Sequence, residues 1–164
     1  MTRADAPAAV RRAVASDGAA AVALWTALHR EHEAQDERYR LSDDAAARWA
    51  TDFRTWVRSD ADRIWLAEAD GVPVGLLTAH LYAPAATFQP AVMVYVDDLY
   101  LAPGARGRGV AGRLMDEARA WAYANRATEI RAGVLAANRA ARAFWEKQGA
   151  AAFSVVVSVP LGSE

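Results

Sequence analysis

Two kinds of chemistry are written into residues 94 to 114 of this 164-residue chain. Asp97 and Asp98 are adjacent carboxylates in an otherwise apolar run, Val94 to Leu101, with the composition of a strand. A carboxylate buried without a partner loses stability or has its pKa raised, so acids placed there are either paired or used for proton transfer. Successive strand side chains point to opposite faces, so only one of the two faces a given cleft unless a bulge intervenes. The pattern leaves open which one, and it also permits both to serve only as structural partners of backbone amides or arginines. Just beyond the strand, Arg106, Gly107, Arg108, Gly109, Val110, Ala111 and Gly112 lead straight into an amphipathic helix. A helix start presents unpaired N–H groups and partial positive charge to an anion. The glycines let the backbone approach a phosphate, and the arginines add fixed charge, although exposed arginine is also common on ordinary surfaces.

Three phosphate-binding patterns compete for this loop. A nucleoside triphosphate loop needs Lys and then Ser or Thr after its last glycine, whereas Gly109 is followed by Val110 and Ala111. The dinucleotide spelling G-x-G-x-x-G is present as Gly107, Gly109 and Gly112, but its surroundings are wrong. Ala102 to Arg106 separate the strand from the first glycine, Glu129 begins the next strand instead of ending it, and too little chain follows for a doubly wound sheet. The third pattern, Arg/Gln-x-x-Gly-x-Gly/Ala, is met by Arg106, Gly109 and Ala111.

That pattern resembles the GNAT superfamily of N-acetyltransferases. A second stretch, running from Asn138 through Ala141, Phe144, Trp145, Glu146 and Lys147 to Gly149, is similar to the family's N-x-x-A-x-x-hydrophobic-aromatic-E-K-x-G segment, and the two arrive in the family's order. The resemblance covers residues 94 to 149. It implies an α/β fold with a mixed, mostly antiparallel sheet flanked by helices, a splayed central strand pair, one domain over residues 1 to 164, and acetyl-CoA as co-substrate without a metal. By the same resemblance Arg106 to Gly112 hold the pyrophosphate, chiefly through backbone amides. The main chain near Leu99, Tyr100 and Leu101 pairs with the pantetheine arm, and Asn138 and Trp145 add coenzyme contacts. Val96 to Leu101 looks like the run of small-amine and polyamine acetyltransferases in which the first acid is the base, which selects Asp97 with Asp98 in reserve. Trp145 stands where many members carry the Tyr that protonates the leaving thiolate, and an indole N–H is no proton source at neutral pH. Tyr82, Tyr95, Tyr100 or solvent could serve instead. Asn138 reads equally well as a helix N-cap, and Trp145 as helix core.

Acyl transfer to an amine makes a base the first requirement. An alkylammonium has a pKa of about 10.4, so under about one molecule in a thousand is the free nucleophile at neutral pH. A thiol, with a pKa of about 8.5, leaves with less help, so the acid is the more dispensable partner. There is no Cys to carry an acyl-enzyme, which favours direct attack in a ternary complex. The expected function is acetyl transfer to the primary amine of a small molecule. Two readings compete with it: a non-catalytic acyl-CoA-binding regulatory module, and a peptide or protein N-terminal acetyltransferase with an open groove.

Composition sets the frame. A hydrophobic content of 54% excludes disorder, and 19 basic against 20 acidic residues give no polyelectrolyte surface for nucleic acid. No leader-like or membrane-length apolar run is visible, so a cytoplasmic protein without membrane contact is expected, with a homodimer left open. His29 and Glu33 at i, i+4 are two ligands short of a third, so no metal is expected. Periodicity predicts strands at Val10 to Val14, Ile64 to Ala69, Val74 to Tyr82, Val92 to Leu101, Glu129 to Leu135 and Phe153 to Val159. It predicts helices from Asp17 with a polar tail to Arg40, from Ser42 or Asp43 to about Val57, from Arg108 to Asn125 and from Ala137 to Gln148. Asp70-Gly71 marks a hairpin, and a loop holds Pro84 and Pro90. The polar stretch Glu31 to Tyr39, between the first two helices, is where the resemblance places an acceptor pocket.

Overall fold

A computed structural model describes residues 8 to 89 and 91 to 162, so Pro90 lies outside the described residues. They fall into two compact units, the first running to Gly133 and the second starting at Val134. The first contains β1 (Ala9–Arg12), α1 (Gly18–Gln35), α2 (Ala45–Trp56), β2 (Asp62–Ala69), β3 (Val72–Tyr82), β4 (Met93–Leu101), α3 (Val110–Ala124) and β5 (Ile130–Ala132); the second contains α4 (Arg139–Lys147). The sheet runs in the order β1-β2-β3-β4-β5, antiparallel until the parallel β4–β5 pair, which is the mixed, mostly antiparallel α/β architecture expected. Asp70 and Gly71 both take positive φ, 51° and 77°, and close β2 onto β3 as a two-residue hairpin whose twist matches the strands.

Alternation along the strands divides the core into two layers. Ile64, Leu66, Leu76 and Tyr100 face α1 and α2, where Leu24, Trp25, Leu28, Trp49 and Phe53 are buried against them. The Trp25 and Trp49 rings stack with centroids 5.4 Å apart, which locks the two helices together. On the opposite face α3 buries Val110, Leu114, Met115, Ala118 and Trp121, and Trp65 meets Trp121 edge-on at 5.9 Å. Gly75 on β3 makes the approach of β4 and α3 possible: a Cβ there would lie 2.6 Å from Leu101 Cδ2 and 3.4 Å from Leu114 Cδ1.

Several element ends differ from the expectation for identifiable reasons. Asp17 does not cap α1; its carboxylate accepts the Val14 backbone N–H at 2.7 Å and both Arg11 terminal nitrogens at 2.7 and 2.8 Å. β5 stops at Ala132 because its ladder with β4 ends at Val96↔Ala132, and β4 continues alone on that side to Leu101. This is the splayed pair. Phe153 to Val159 form no strand: they carry no helix or ladder, and Val156 is 95% exposed. Valine-rich sequence favours a pleated, half-buried surface, whereas Val155, Val157 and Val159 are also 80% or more exposed.

Arg11 ties β1 into the sheet by bridging Asp17 and Glu68, with Nη2 2.6 Å from Glu68 Oε1. The guanidinium holds the Asp17 carboxyl below its ordinary value, mainly through the side-chain hydrogen bonds. A depressed folded pKa contributes stability above the unfolded carboxylate pKa and loses it as pH falls through the folded one. Arg11→Ala is therefore expected to lower the melting temperature at pH 7 by about 2–4 °C, the equivalent of about 1 kcal/mol for a partly exposed pair in a chain of this size. The difference from wild type should shrink in acid. Melting curves at pH 7 and pH 3 check this, and a constant difference across that range would contradict it.

Candidate active site

The register shows the bulge under which both adjacent acids can face one cleft. Ala79 pairs with Val96 and Thr78 with Asp98, so Asp97 is the extra residue of a β-bulge. The bulge turns both carboxylates into one open cavity of about 310 Å³, lined also by Trp56, Asp62, Ile64, Thr78 and His80. It begins at the residue after the last β4–β5 pair, so one irregularity both ends that ladder and presents the acids.

Each acid has its own partners. His80 Nδ1 stands 2.8 Å from Asp97 Oδ2, and the His80 ring leans against Tyr95 with centroids 5.6 Å apart. The Thr78 hydroxyl donates to Asp98 Oδ2 at 2.7 Å, and His29 Nε2 lies 3.6 Å from Asp98 Oδ1. Burial in the cavity pushes the Asp97 carboxyl above its ordinary value, and the His80 hydrogen bond offsets this only in part. Its side chain still keeps 43% of its surface exposed, as befits a group at a cavity mouth. His32, beside His29, is held below the usual imidazole range by burial and then by its neighbour. Glu33 turns away toward Arg40, 3.8 Å distant, so the i, i+4 pair with His29 is not formed. Three carboxylates, Asp62, Asp97 and Asp98, outnumber the lining's one guanidinium. That cation, Arg63, is spent on the Ser59 and Asp62 carbonyls at 2.9 and 2.8 Å and lies over the Trp121 ring. The cavity suits a cationic guest.

Past β4 the chain passes one turn of 3-10 helix, Pro103–Ala105, and then the glycine loop. Gly107 and Gly109 adopt φ of 74° and 73°, a left-handed conformation costly to any residue with a side chain, and Gly109 is the N-cap of α3. A Cβ at Gly107 or Gly112 would meet nothing within 4 Å, so the loop presents bare backbone. The Arg113 N–H to Gly109 carbonyl bond, 3.2 Å, closes the first turn of α3, and the helix start ahead of it has N–H groups to offer an anion. Helix α3 thus begins at Val110, not at Arg108.

Arg106 does something the sequence did not signal. Its guanidinium donates to the Leu101 carbonyl at 2.9 Å and pairs with Glu31 of α1 at 2.6 Å, with Cζ 5.5 Å from the Tyr100 ring centroid. Its side chain therefore braces the loop against β4 and α1, and one Leu101 acceptor is already engaged. Tyr100 is buried, with its hydroxyl 3.4 Å from Glu31. Leu99 and Leu101 are half-buried and pair in register with Leu77 and Gly75. In the second unit, the Asn138 side chain accepts the Ala141 N–H at 2.9 Å and caps α4, and Trp145 packs edge-on to Phe144 at 5.6 Å. His80 is the residue that sequence reasoning missed as a partner in the site; only its place on β3 beside the bulge, paired with Tyr95, reveals it.

Residues 23–150 match the model of the acetyltransferase (GNAT) family. The chain belongs to that family. It is accordingly an acyltransferase. Solved structures share the fold: a tetramutant of the BH1408 protein from Bacillus halodurans superposes with a TM-score of 0.82 at 19% identity, over 93% of this chain and 99% of that one. The aminoglycoside N-acetyltransferase AAC(6')-Iy in complex with CoA gives 0.75 at 20% identity over 98% of both chains. A ribosomal-protein-alanine N-acetyltransferase from Brucella melitensis biovar Abortus 2308 gives 0.68 at 16% identity, over 94% and 99%. At these identities the likeness establishes the fold. No curated protein matches the chain. Among the described residues no helix is long and apolar enough to cross a membrane.

Proposed function

We propose that this GNAT acyltransferase moves an acetyl group from acetyl-CoA to the primary amine of a small molecule, by direct attack in a ternary complex. The observation that carries this reading is the bulge: it gathers Asp97 and Asp98 into one acid-rich cavity on the strand that leads into the glycine loop. Acetyl-CoA supplies the thioester. The open backbone at Gly107 and Gly109 and the first turn of α3 with Gly112 fit its pyrophosphate: a Cβ at Gly107 or Gly112 meets nothing within 4 Å, and one at Gly109 meets only the end of Arg113. The structural likeness to a CoA-bound aminoglycoside acetyltransferase supports the same ligand and a multiply charged amine. Arg106 to Gly112 grip the phosphates, and the β4 main chain near Leu99, Tyr100 and Leu101 orients the arm. The carboxylates attract the ammonium, and removal of its proton depends on Asp97, with Asp98 held by Thr78 and His29 as a second anionic anchor.

Turnover decides among the readings. Incubated with acetyl-CoA, the protein should release free thiol in the presence of small mono- and diamines, and faster than with peptides bearing a free N-terminus. Preference for peptides would replace the acceptor class, and CoA binding without amine-dependent thiol release would leave a binding module.

A further inference from the structure

The bulge that delivers Asp97 to the cavity also sets it against His80 on β3. A separation of 2.8 Å between Nδ1 and Oδ2 requires one shared proton, because two facing lone pairs repel. With Asp97 ionised, that proton rests on Nδ1, and the ring nitrogen left with a lone pair is Nε2. His80 lines the same cavity as the carboxylates and keeps 37% of its side-chain surface exposed, so a guest and solvent can both reach it.

We propose that His80, through Nε2, takes the proton from the acceptor ammonium, and that Asp97 acts through it by fixing the Nδ1–H tautomer and stabilising the imidazolium. The proposal rests on the amine-acetyltransferase reading above and names the atom that performs its first step. One ammonium N–H bond breaks, the proton forms an N–H bond at Nε2, and the electron pair stays on the amine nitrogen. That pair then forms the C–N bond as the thioester C–S bond breaks. The second proton lost from nitrogen ends on the departing thiolate, and the imidazolium returns its own to solvent.

The charged and titratable groups around His80 come from each neighbouring strand. Asp62 sits opposite it in register on β2 and Arg63 follows; β4 contributes Asp97, Asp98 and Tyr95, and α1 reaches the cavity through His29 on Asp98. Helix α2 adds the uncharged Trp56.

The test is made on the full chain with His80→Gln and His80→Ala, following kcat/KM for the best amine across pH and CoA affinity by calorimetry. The expected result is a loss of about a hundredfold or more in kcat/KM for both variants, with CoA affinity unchanged. The acid limb of the pH profile should move in His80→Gln, and added imidazole should return part of the rate to His80→Ala. A His80→Gln enzyme within about threefold of wild type, with the same acid limb, would overturn the proposal and leave Asp97 as the direct base. Absence of amine-dependent thiol release from the wild type would instead overturn the acetyltransfer reading, and this assignment with it.

Discussion

Gly109→Val is expected to weaken CoA binding by about a hundredfold, the loss of two charge-assisted hydrogen bonds, while leaving a folded protein. Gly109 is the left-handed N-cap from which α3 starts, at φ 73°. A β-branched residue resists that conformation, so the loop must either carry about 1–3 kcal/mol of strain or relax to negative φ and turn its N–H groups away from the anion. Packing does not oppose the change, because a Cβ at Gly109 meets only the flexible end of Arg113, at 3.8 Å. The damage therefore falls on the ligand more than on the core, and the melting temperature should drop only by about 2–4 °C per kcal/mol of strain. Calorimetry with CoA, beside a melting curve, separates the two effects. Affinity within about threefold of wild type in a protein of normal stability would show that the loop amides do not bind the phosphates.

The glycine loop was legible in the sequence because its information is local: a strand, two glycines in the left-handed region and a helix start all lie within a few residues of one another. The adjacent acids were legible as an anomaly for the same reason. What they do was not, because a bulge is a property of two strands in register, and nothing in Val96-Asp97-Asp98-Leu99 announces that Thr78 and Ala79 will straddle Asp97. His80, seventeen residues upstream of Asp97, acquires its partner only through that register. The side chain of Arg106 shows the limit of the motif. The motif speaks for its backbone, while its guanidinium's ion pair with Glu31 and bond to the Leu101 carbonyl depend on where α1 lies over β4. Phe153 to Val159 show that composition alone does not make a strand: the residues favour one, and no ladder receives them.

Asp97→Asn should separate activity from stability in a way that identifies the acid as functional. Removing a charge on which proton abstraction depends is expected to lower kcat/KM by about 10²–10⁴-fold. Stability should move the other way or not at all. Burial raises the Asp97 carboxyl above its ordinary value, so between the unfolded and folded pKa the native state binds more protons than the unfolded one. Stability then declines as pH rises through that window, and at neutral pH the ionised carboxylate is a net cost that His80 only partly offsets. Asparagine removes the charge and keeps a carbonyl able to accept the Nδ1–H, so the variant should melt at or above the wild-type temperature at pH 7 and lack the wild type's loss of stability above the carboxylate range. A purely structural ion pair predicts the opposite pattern, in which Asp97→Asn destabilises the fold and leaves turnover per folded molecule intact. Melting curves at several pH values, paired with single-turnover rates on the same samples, distinguish the two. A destabilised variant with nearly full activity would move the catalytic role away from the bulge.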